Sequence, residues 1–480
     1  MNMLRNEFPF ELTAKQEQAA LGLFQFLYGS DGRSIHLLRG YAGTGKTLLV
    51  SALVRTLHRL KIPTILLAPT GRAAKVFSIH AGTAAYTIHK QIYRQRSLTS
   101  ENSHFDLDRN THKDTLFIVD ESSMISAQED FRSIFGSGNL LEDLLRYVYS
   151  GANCRLLFVG DNAQLPPVGD DVSPALSASA LRNLDFAVSG FQLTEVMRQE
   201  HDSGILYNAT RLRQSIRLAT DGEPRITLGR FKDLRRLCGD EIIETLQRSY
   251  DTAGQDGTIV LTRSNKQANM YNQGIRSTFF GREDMLQRGD IIMVVRNNYY
   301  WAELEAQKRK NEGNSEMPPM DFIANGDIAE VLSVQDEMEF YGLHFADVQI
   351  RFPDYNGFEM QARVLLDAMQ SEGPSLTPEQ DRQLFQGVSE DYADERNKKE
   401  RMKKVRMDPN YNALQIKYAY AVTCHKAQGG QWRHVFLDQG WMPPDGYDVQ
   451  YYRWLYTAFT RSTEKLFLIN WPEAQIEDYE

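Results

Sequence analysis

The chain has 480 residues, of which 42% are hydrophobic and 11% aromatic. This length and apolar content suit three or four domains with cores of their own, and they exclude a small single-site binding module. The formal net charge of -9 excludes a protein that coats nucleic acid over its whole surface, so any nucleic-acid site has to be a local groove.

The cysteines and the first residues bear on the compartment. Cys154, Cys238 and Cys424 have neither the spacing of metal ligands nor the even number of a disulfide framework. The first 30 residues include early acidic side chains and no continuous apolar core, so we expect neither a signal peptide nor a membrane anchor. These features predict a cytoplasmic protein without a membrane partner.

The first part of the chain alternates helical and strand patterns. A helical repeat of apolar residues over 14–29 precedes the apolar run SIHLLRG, and the runs TILLAPT, TLFIVDE and RLLFVGD each lead into a polar loop or helix. Strands that are each followed by a crossover predict a parallel α/β sheet. Further apolar runs in GTIVLTRSN, IKYAYAVTCHKAQG, HVFLDQG and KLFLINW predict a second α/β domain.

Residues 284–411 differ from both α/β parts. The segments GDIIMVVRN, GDIAEVLSV and HFADVQIRF are short strand-like runs separated by loops, which is typical of a small β-barrel. Within this region, residues 377–406 are highly charged with few β-branched residues. That composition predicts a solvated helix or a mobile arm.

The strongest chemical signal is GYAGTGKT at residues 40–47, between a predicted strand and a predicted helix. Glycines let the backbone N–H groups of such a loop wrap phosphates closely, the Lys46 ammonium neutralises the outer phosphates, and the Thr47 hydroxyl is a ligand for Mg²⁺. This pattern predicts a site for ATP with Mg²⁺. The expected nucleotide contacts are Gly40, Ala42, Gly43, Thr44, Gly45, Lys46 and Thr47.

Two further loops follow predicted strands. Asp120 and Glu121 end the apolar run LFIV, at the strand edge where open α/β sheets bind their ligands. We expect Asp120 to hold Mg²⁺ and Glu121 to activate the attacking water as a general base. A third strand leads into DNAQLPPV, where Gln164 is a candidate sensor of the γ-phosphate; taken alone, this segment is equally typical of a proline-rich surface turn.

Eight motifs in one order then point to a family. The set GYAGTGKT, APTGRAA, TIHK, VDESSM, GDNAQLPPVG, LTEVMRQ, VTCHKAQGGQW and YTAFTRS resembles the superfamily 1B helicases, in particular their RecD and Dda branch. The resemblance implies two RecA-like P-loop domains in tandem, with a small hairpin insertion in the first and an SH3-like β-barrel insertion in the second. The implied bounds are 1–190 for the first domain with its hairpin at 91–114, 191–283 and 412–480 for the second, and 284–411 for the barrel with its charged arm.

The resemblance also implies roles for single residues outside the phosphate loop. Gln16 matches the glutamine that contacts adenine, and Gly429 falls among the nucleotide-binding positions. Arg198 and Arg461 match arginines that reach the γ-phosphate, where a guanidinium stabilises the charge of the transition state.

The positions that match DNA contacts are mostly short polar donors at strand ends. Such donors suit phosphate oxygens and give binding that is indifferent to base sequence. Phe105, in the hairpin insertion, is a candidate for stacking on a base at the fork. The remaining candidates are Pro69, Thr70, Thr87, His89, Lys90, Thr262, Arg263, Asn265, Thr423, His425 and Lys426.

Two departures from the family qualify these expectations. Gly430 and Gln431 stand where the family often has serine and glutamate, which puts the coupling role of that glutamate in doubt. Because Gln16 lies so near the start, the long amino-terminal extension of RecD-type subunits is missing, and we expect a monomer rather than a RecBCD-like assembly.

The resemblance implies an ATP-driven motor that moves 5′ to 3′ on single-stranded DNA and separates strands at single-strand/duplex junctions. A DNA-dependent ATPase that translocates without unwinding shares every motif and differs in lacking a working pin. A third alternative is a P-loop switch whose nucleotide only controls a partner, but a switch has little need for two arginines and a positioned glutamine. A nuclease is not expected, because no second carboxylate cluster stands out.

Overall fold

The protein is described by a computed structural model that covers residues 1–8, 10–29, 32–95, 105–129, 135–195, 202–229, 231–313, 318–320, 322–443 and 446–477. Contacts divide the chain into two compact units. Unit 1 comprises Met1–Leu237, Gln428–Gln431 and Trp441–Glu480, and unit 2 comprises Cys238–Ala427 and Trp432–Gly440.

The described residues form helices and strands throughout both units. The helices are α1 Asn2–Glu7, α2 Ala14–Tyr28, α3 Lys46–Arg59, α4 Gly71–Ala81, α5 Ile88–Ile92, α6 Leu140–Ser150, α7 Ala178–Arg182, α8 Gly204–Leu218, α9 Glu241–Ala253, α10 Asn265–Phe280, α11 Tyr300–Asn311, α12 Asp367–Gln370, α13 Pro378–Asp391, α14 Lys398–Arg406 and α15 Val449–Phe459. The strands are β1 Ser34–Gly40, β2 Thr64–Ala68, β3 Ala85–Thr87, β4 Tyr93–Gln95, β5 Phe105–Leu107, β6 Leu116–Val119, β7 Arg155–Gly160, β8 Ala187–Leu193, β9 Ile226–Thr227, β10 Leu234–Leu237, β11 Thr258–Thr262, β12 Ile291–Val294, β13 Ile328–Phe340, β14 Leu343–Phe352, β15 Phe358–Leu365, β16 Leu414–Tyr418, β17 Ala421–Thr423, β18 Trp432–Leu437, β19 Ser462–Ile469 and β20 Ile476–Glu477. None of these helices is both long enough and apolar enough to cross a membrane.

A fully parallel sheet organises unit 1. Its strand order is β3-β2-β6-β7-β1-β8, and the predicted parallel α/β sheet is confirmed. The inner strand LFIV is buried at every position, as expected for a parallel sheet whose strands are apolar runs. Because all strands run the same way, the loops that follow β1, β2, β3, β6 and β7 emerge at one edge.

A short hairpin is inserted between α5 and β6. Strands β4 and β5 pair antiparallel, with Tyr93 opposite Leu107 and Arg94 opposite Asp106. The two strands fall inside the predicted insertion at 91–114. Residues 96–104, between them, lie outside the described part of the chain.

Unit 2 combines a parallel α/β part with a barrel. Strands β17, β11 and β18 are parallel neighbours, and β12-β13-β14-β15-β16 form a closed five-stranded barrel. All neighbours in the barrel are antiparallel except β15 and β16, which are parallel. The predicted small barrel is confirmed, although its last strand comes from IKYAYAVT: Leu414–Tyr418 closes the barrel, and Ala421–Thr423 joins the parallel strands.

The charged segment at 377–406 forms the two helices α13 and α14, and it is anchored to the barrel. Leu384 and Val388 of α13 lie in one buried cluster with Phe345 and Leu365 of the barrel strands, together with Val405 of α14. The charge pattern concealed this apolar face, because the buried residues are few and widely spaced.

The predicted division of the chain into domains stays a prediction.

A buried ion pair joins helix α10 to the start of the barrel in unit 2. The Arg276 guanidinium donates two hydrogen bonds of 2.9 Å to the Asp290 carboxylate, which also accepts from Arg282 at 3.1 Å and from the Gln287 N–H at 2.8 Å. Asp290 is fully buried. Removing one partner of such a pair leaves an uncompensated charge in the interior.

We therefore expect Asp290→Asn to lower the free energy of unfolding of unit 2 by about 3–5 kcal/mol. Urea denaturation followed by hydrogen exchange at the barrel amides measures this change. Glu244→Gln, which removes the same charge from the exposed pair with Arg248, is the matched control and should leave the urea midpoint almost unchanged. Equal midpoints for the two variants would contradict the stabilising role of the buried pair.

Candidate nucleotide site and nucleic-acid-binding residues

The phosphate loop begins at the carboxyl end of β1. Gly45 has a φ of 77°, in the left-handed region, and helix α3 begins at the next residue. A Cβ atom on Gly40 would lie 2.8 Å from the Lys46 Cγ and 2.8 Å from the Thr44 Oγ1, so only glycine fits there. Thr47 is the second residue of α3, where helix N–H groups and dipole favour an anion.

Lys46 folds back over this loop. Its ammonium donates to the Gly40 carbonyl at 2.5 Å and to the Tyr41 carbonyl at 3.0 Å, and it lies 4.0 Å from the Asp161 carboxylate. Asp161, which follows β7, is buried. The loop and the adjacent strand end therefore place one cation and one carboxylate beside the predicted phosphate position.

Asp120 and Glu121 emerge directly after β6. The Asp120 Oδ1 accepts the Glu121 N–H at 2.8 Å, and Glu121 has a left-handed φ of 50° that turns the chain away from the sheet. Burial raises the pKa of Asp120 to about 7, with a further increase from the charge of Glu121 and an opposing effect of Lys46. The charge of Lys46 does not balance the two adjacent carboxylates of Asp120 and Glu121. A bound cation would therefore stabilise their charged forms.

Gln164 is buried in the loop that follows β7. Its Oε1 atom is buried and has no hydrogen-bond partner among the described residues, so this atom is available for a ligand or a water. The loop itself is held by side chains: Leu165 N–H donates to Thr457 Oγ1 at 2.9 Å, and Gln428 donates to the Leu165 carbonyl at 2.8 Å. Arg453 donates to the carbonyls of Asn162 at 2.5 Å and of Gln164 at 3.3 Å.

Tyr456 of α15 joins this loop to the phosphate loop. Its hydroxyl donates to Asp161 Oδ2 at 2.6 Å and accepts the Ala42 N–H at 2.9 Å. Tyr456 is 1% exposed, so both hydrogen bonds are shielded from water. Burial and the charge of Asp161 raise the pKa of Tyr456 well above its ordinary value, which keeps the hydroxyl protonated as a donor.

Sequence reasoning missed the helix face formed by Arg453, Tyr456 and Thr457. Tyr456 and Thr457 belong to the motif YTAFTRS, from which only Arg461 was selected. The helical spacing of three and four residues places the three side chains on one face and was the available signal. The partner loop lies about 290 residues earlier in the chain, which no local pattern reveals.

Three further residues were assigned to the nucleotide site by the resemblance: Gln16, Arg198 and Arg461. Gln16 is buried, accepts the Thr13 N–H and donates to the Thr44 carbonyl at 3.1 Å, so it supports the phosphate loop. Arg461 is buried and donates to the carbonyls of Thr457 and Gly430, each at 3.1 Å. Arg198 lies outside the described residues.

Gly429 lies against helix α4 in unit 1. A Cβ atom on it would approach the Ala73 Cβ to 3.1 Å and the Thr70 Oγ1 to 3.3 Å. The contacts of Gly429 are therefore with a segment assigned to DNA.

Several DNA candidates share the sheet edge with the nucleotide loops. Pro69 and Thr70 follow β2, and Thr87 ends β3; the register pairs Ala68 with Thr87. Thr70 and Thr87 cap the following helices, because their hydroxyls accept the N–H groups three residues on at 3.2 Å. The edge thus presents β3, β2, β6, β7 and β1 in one row, with DNA candidates at one end and the phosphate loop at the other.

His89, Lys90 and Phe105 lie beyond that row. Lys90 lies over the Tyr86 ring at 5.8 Å, and burial lowers the pKa of His89 to about 4, so the imidazole is neutral at pH 7. Phe105 is 5% exposed and packs against Phe135, with 5.1 Å between ring centroids. This burial leaves Phe105 without a free ring face, which argues against the expected stacking on a base.

The remaining DNA candidates lie at the carboxyl ends of β11 and β17 in unit 2. Thr262 pairs in register with Thr423, but it is fully buried and its hydroxyl donates to the Ser264 carbonyl at 3.0 Å. Arg263 and His425 are exposed, and Asn265 begins α10. Lys426 is half-buried, and burial lowers its pKa to about 8.

Lys417 is a nearby cation that the sequence analysis did not single out. It is 6% exposed and donates to the Ser371 carbonyl at 2.5 Å. Its pKa is lowered to about 8 by burial and by the charge of Lys426. Burial therefore disfavours the charged forms of both lysines.

The chain's residues fit a nucleotide with Mg²⁺. The phosphate loop that begins at Gly40 offers backbone N–H groups, and the Lys46 ammonium is a further donor for phosphate oxygens. The Gln164 Oε1, which has no partner among the described residues, can accept a hydrogen bond from water. The described residues contain no group of three His, Cys, Asp or Glu side chains that could hold a metal by themselves. Thr47 and Asp120 suit Mg²⁺ nevertheless, because this ion takes most of its ligands from phosphate and water.

Two family models match the chain. The model described as an AAA domain matches residues 11–230, and the model of the UvrD-like helicase C-terminal domain matches residues 418–469. Solved Pif1 helicases are loosely similar over nearly the whole chain. The structure entitled as two coordinating Pif1 helicases at forked dsDNA has a TM-score of 0.46 at 14% identity and covers 98% of this chain and 94% of that one; Pif1 from Candida albicans has a TM-score of 0.40 at 17% identity, with 98% and 97% covered.

Relatives by sequence add to these matches. The ATP-dependent RecD2 DNA helicase of Deinococcus radiodurans is 32% identical over 184 residues, which are 37% of this chain and 21% of that protein. An uncharacterised protein of Acanthamoeba polyphaga mimivirus is 21% identical, with 94% of this chain and 98% of that protein covered. The chain thus spans about a fifth of the RecD2 helicase. The ordered motifs, both family models and the RecD2 match agree in making the chain similar to superfamily 1B helicases of the RecD-like branch.

Proposed function

We propose that this chain is an ATP-dependent DNA helicase that moves 5′ to 3′ on single-stranded DNA and unwinds duplex DNA at junctions. One observation supports the proposal above all others. A single edge of the parallel sheet presents the phosphate loop, Asp161, Asp120 and Glu121, Pro69 and Thr70, and Thr87 in one row. Because these loops follow neighbouring β-strands, a conformational change at the phosphate loop on ATP hydrolysis can alter the contacts that the other end of the row makes with a DNA strand.

The proposed chemistry assigns one task to each group. Lys46 and the loop N–H groups bind the phosphates, Glu121 orients the attacking water, and Gln164 holds it through the unpartnered oxygen. Thr47 and Asp120 hold Mg²⁺, which neutralises phosphate charge when bound. By the resemblance, Arg198 and Arg461 supply guanidinium groups for the transition state.

A second candidate is a translocase that does not unwind. The observation that favours it is the burial of Phe105 against Phe135, because the described part of the hairpin then offers no exposed aromatic ring for a fork.

Glu121→Gln should lower kcat for ATP hydrolysis by about a hundredfold or more, since it removes the general base and keeps the shape of the side chain. Lys46→Ala should abolish turnover by weakening phosphate binding. Steady-state hydrolysis in the presence of single-stranded DNA, with a fluorescent ATP analogue to measure binding, separates the two effects. Glu142→Gln, on the exposed surface of α6, is the control; a Glu121→Gln protein as active as this control would refute the assignment.

Tyr456→Phe should lower kcat about tenfold while the KM for ATP changes by less than about threefold, because one buried hydrogen bond to a charged group is lost. The variant leaves the Ala42 N–H and one Asp161 oxygen without their shared partner. Tyr452→Phe is the matched control on the same helix, since among the described residues its hydroxyl donates to the Gly222 carbonyl alone, at 3.0 Å. Equal kcat values for the two variants would exclude a positioning role for Tyr456.

Two fluorescent duplexes that differ only in a 5′ or a 3′ single-stranded tail test the polarity and the unwinding. We expect ATP-dependent strand separation of the 5′-tailed duplex alone, and none with Lys46→Ala. If neither duplex opens although single-stranded DNA stimulates ATP hydrolysis, the translocase replaces the helicase as the proposed function.

A further inference from the structure

The helix α14 is the most basic element of a chain with a net charge of -9. Residues 396–406, which contain it, include seven lysine or arginine residues and one glutamate. Lys399, Lys403 and Arg406 are exposed and follow a spacing of four and three residues, so they share one face of the helix. Lys404, on another face, pairs with Glu395 at 3.0 Å.

Packing of apolar side chains does not account for the position of α14. Val405 is its one buried residue, whereas α13 contributes Leu384 and Val388 to the same cluster. A helix that buries so little apolar surface gains little stability from packing. Its position has to be held by other interactions.

Those interactions are polar and partly buried. Asp408, just after α14, accepts the N–H groups of Asn410 at 2.7 Å and Tyr411 at 3.1 Å and the Tyr392 hydroxyl at 3.0 Å. The Asn412 amide donates to the Arg406 carbonyl at 2.7 Å, which satisfies the end of the helix.

The same network reaches the barrel wall. The Asn410 side chain accepts from Arg363 at 2.6 Å. Arg363, on β15, in turn makes two hydrogen bonds of 2.7 and 2.8 Å with Asp347 on β14. The basic helix is therefore fixed to the barrel by directional bonds, and its charged face has a defined orientation.

We propose that the α14 face formed by Lys399, Lys403 and Arg406 binds the phosphate backbone of duplex DNA. The face extends about 10 Å along the helix, which matches about three steps of about 3.4 Å between successive phosphates on one strand of a duplex. Single-strand sites combine basic groups with aromatic rings on which bases stack, and α14 contains no aromatic residue. A rigid basic face without rings suits the regular phosphates of a duplex.

This inference rests on the proposed function, because it supposes that the chain works on DNA. The test compares the full-length protein with a variant in which Lys399, Lys403 and Arg406 are all replaced by glutamine. Fluorescence anisotropy on a blunt labelled duplex and on a labelled single strand, between about 50 and 200 mM NaCl, gives both affinities and their salt dependence. Lys232, Arg235 and Arg248, which are also exposed, are replaced by glutamine in the control, so the change in net charge is the same.

We expect the α14 variant to bind the duplex about tenfold more weakly, with the slope of log K against log salt reduced by about two to three. Its single-strand affinity and the ATP hydrolysis stimulated by single strands should match the control, as should its melting temperature. A duplex slope equal to that of the control, or an equal loss on both DNAs, overturns the inference. Absence of stimulated hydrolysis in the wild-type protein refutes the motor itself, and that readout does not depend on α14.

Discussion

The inner strands β6, β7 and β1 of the parallel sheet are buried along almost their whole length, so their accessible polar groups lie where the strands end. In unit 1 this constraint gathers Gly40, Asp120 and Asp161 at one edge, since β6, β7 and β1 are neighbours. The catalytic candidates are far apart in sequence, and the sheet order alone makes them adjacent. Every other feature of the site, from the folded Lys46 to the capped helices α4 and α5, depends on that edge.

Much of this edge was predictable because each strand carries its own local signal. SIHLLRG and LFIV are apolar runs that end in residues with chemical roles, and the structure places β1 and β6 at those positions. The first barrel strands were recognisable for the same reason, whereas β15 and β16 were not. FEMQARVL, at β15, alternates apolar and polar residues as a half-buried strand does, but the sequence analysis did not select it, and β16 was assigned to the second α/β domain.

Long-range partners could not be predicted. Tyr456 contacts Asp161 across 295 residues, and the motif that contains it draws attention to Arg461 instead. Phe105 looked like an exposed ring because its neighbours are polar, but its partner Phe135 lies 30 residues away. Thr262 has the composition of a DNA contact, yet its hydroxyl is used by main-chain carbonyls. In each case the local residue types are compatible with two environments, and tertiary packing decides between them.

The parallel pairing of β15 with β16 has a consequence for how such chains can change. Two antiparallel strands can be joined by a tight turn, but parallel neighbours need a crossover of a dozen or more residues. The stretch that holds α12, α13 and α14 makes that crossover. Its complete removal would break the ring of strands, so the barrel can close with this strand order only in a chain that keeps a crossover between β15 and β16.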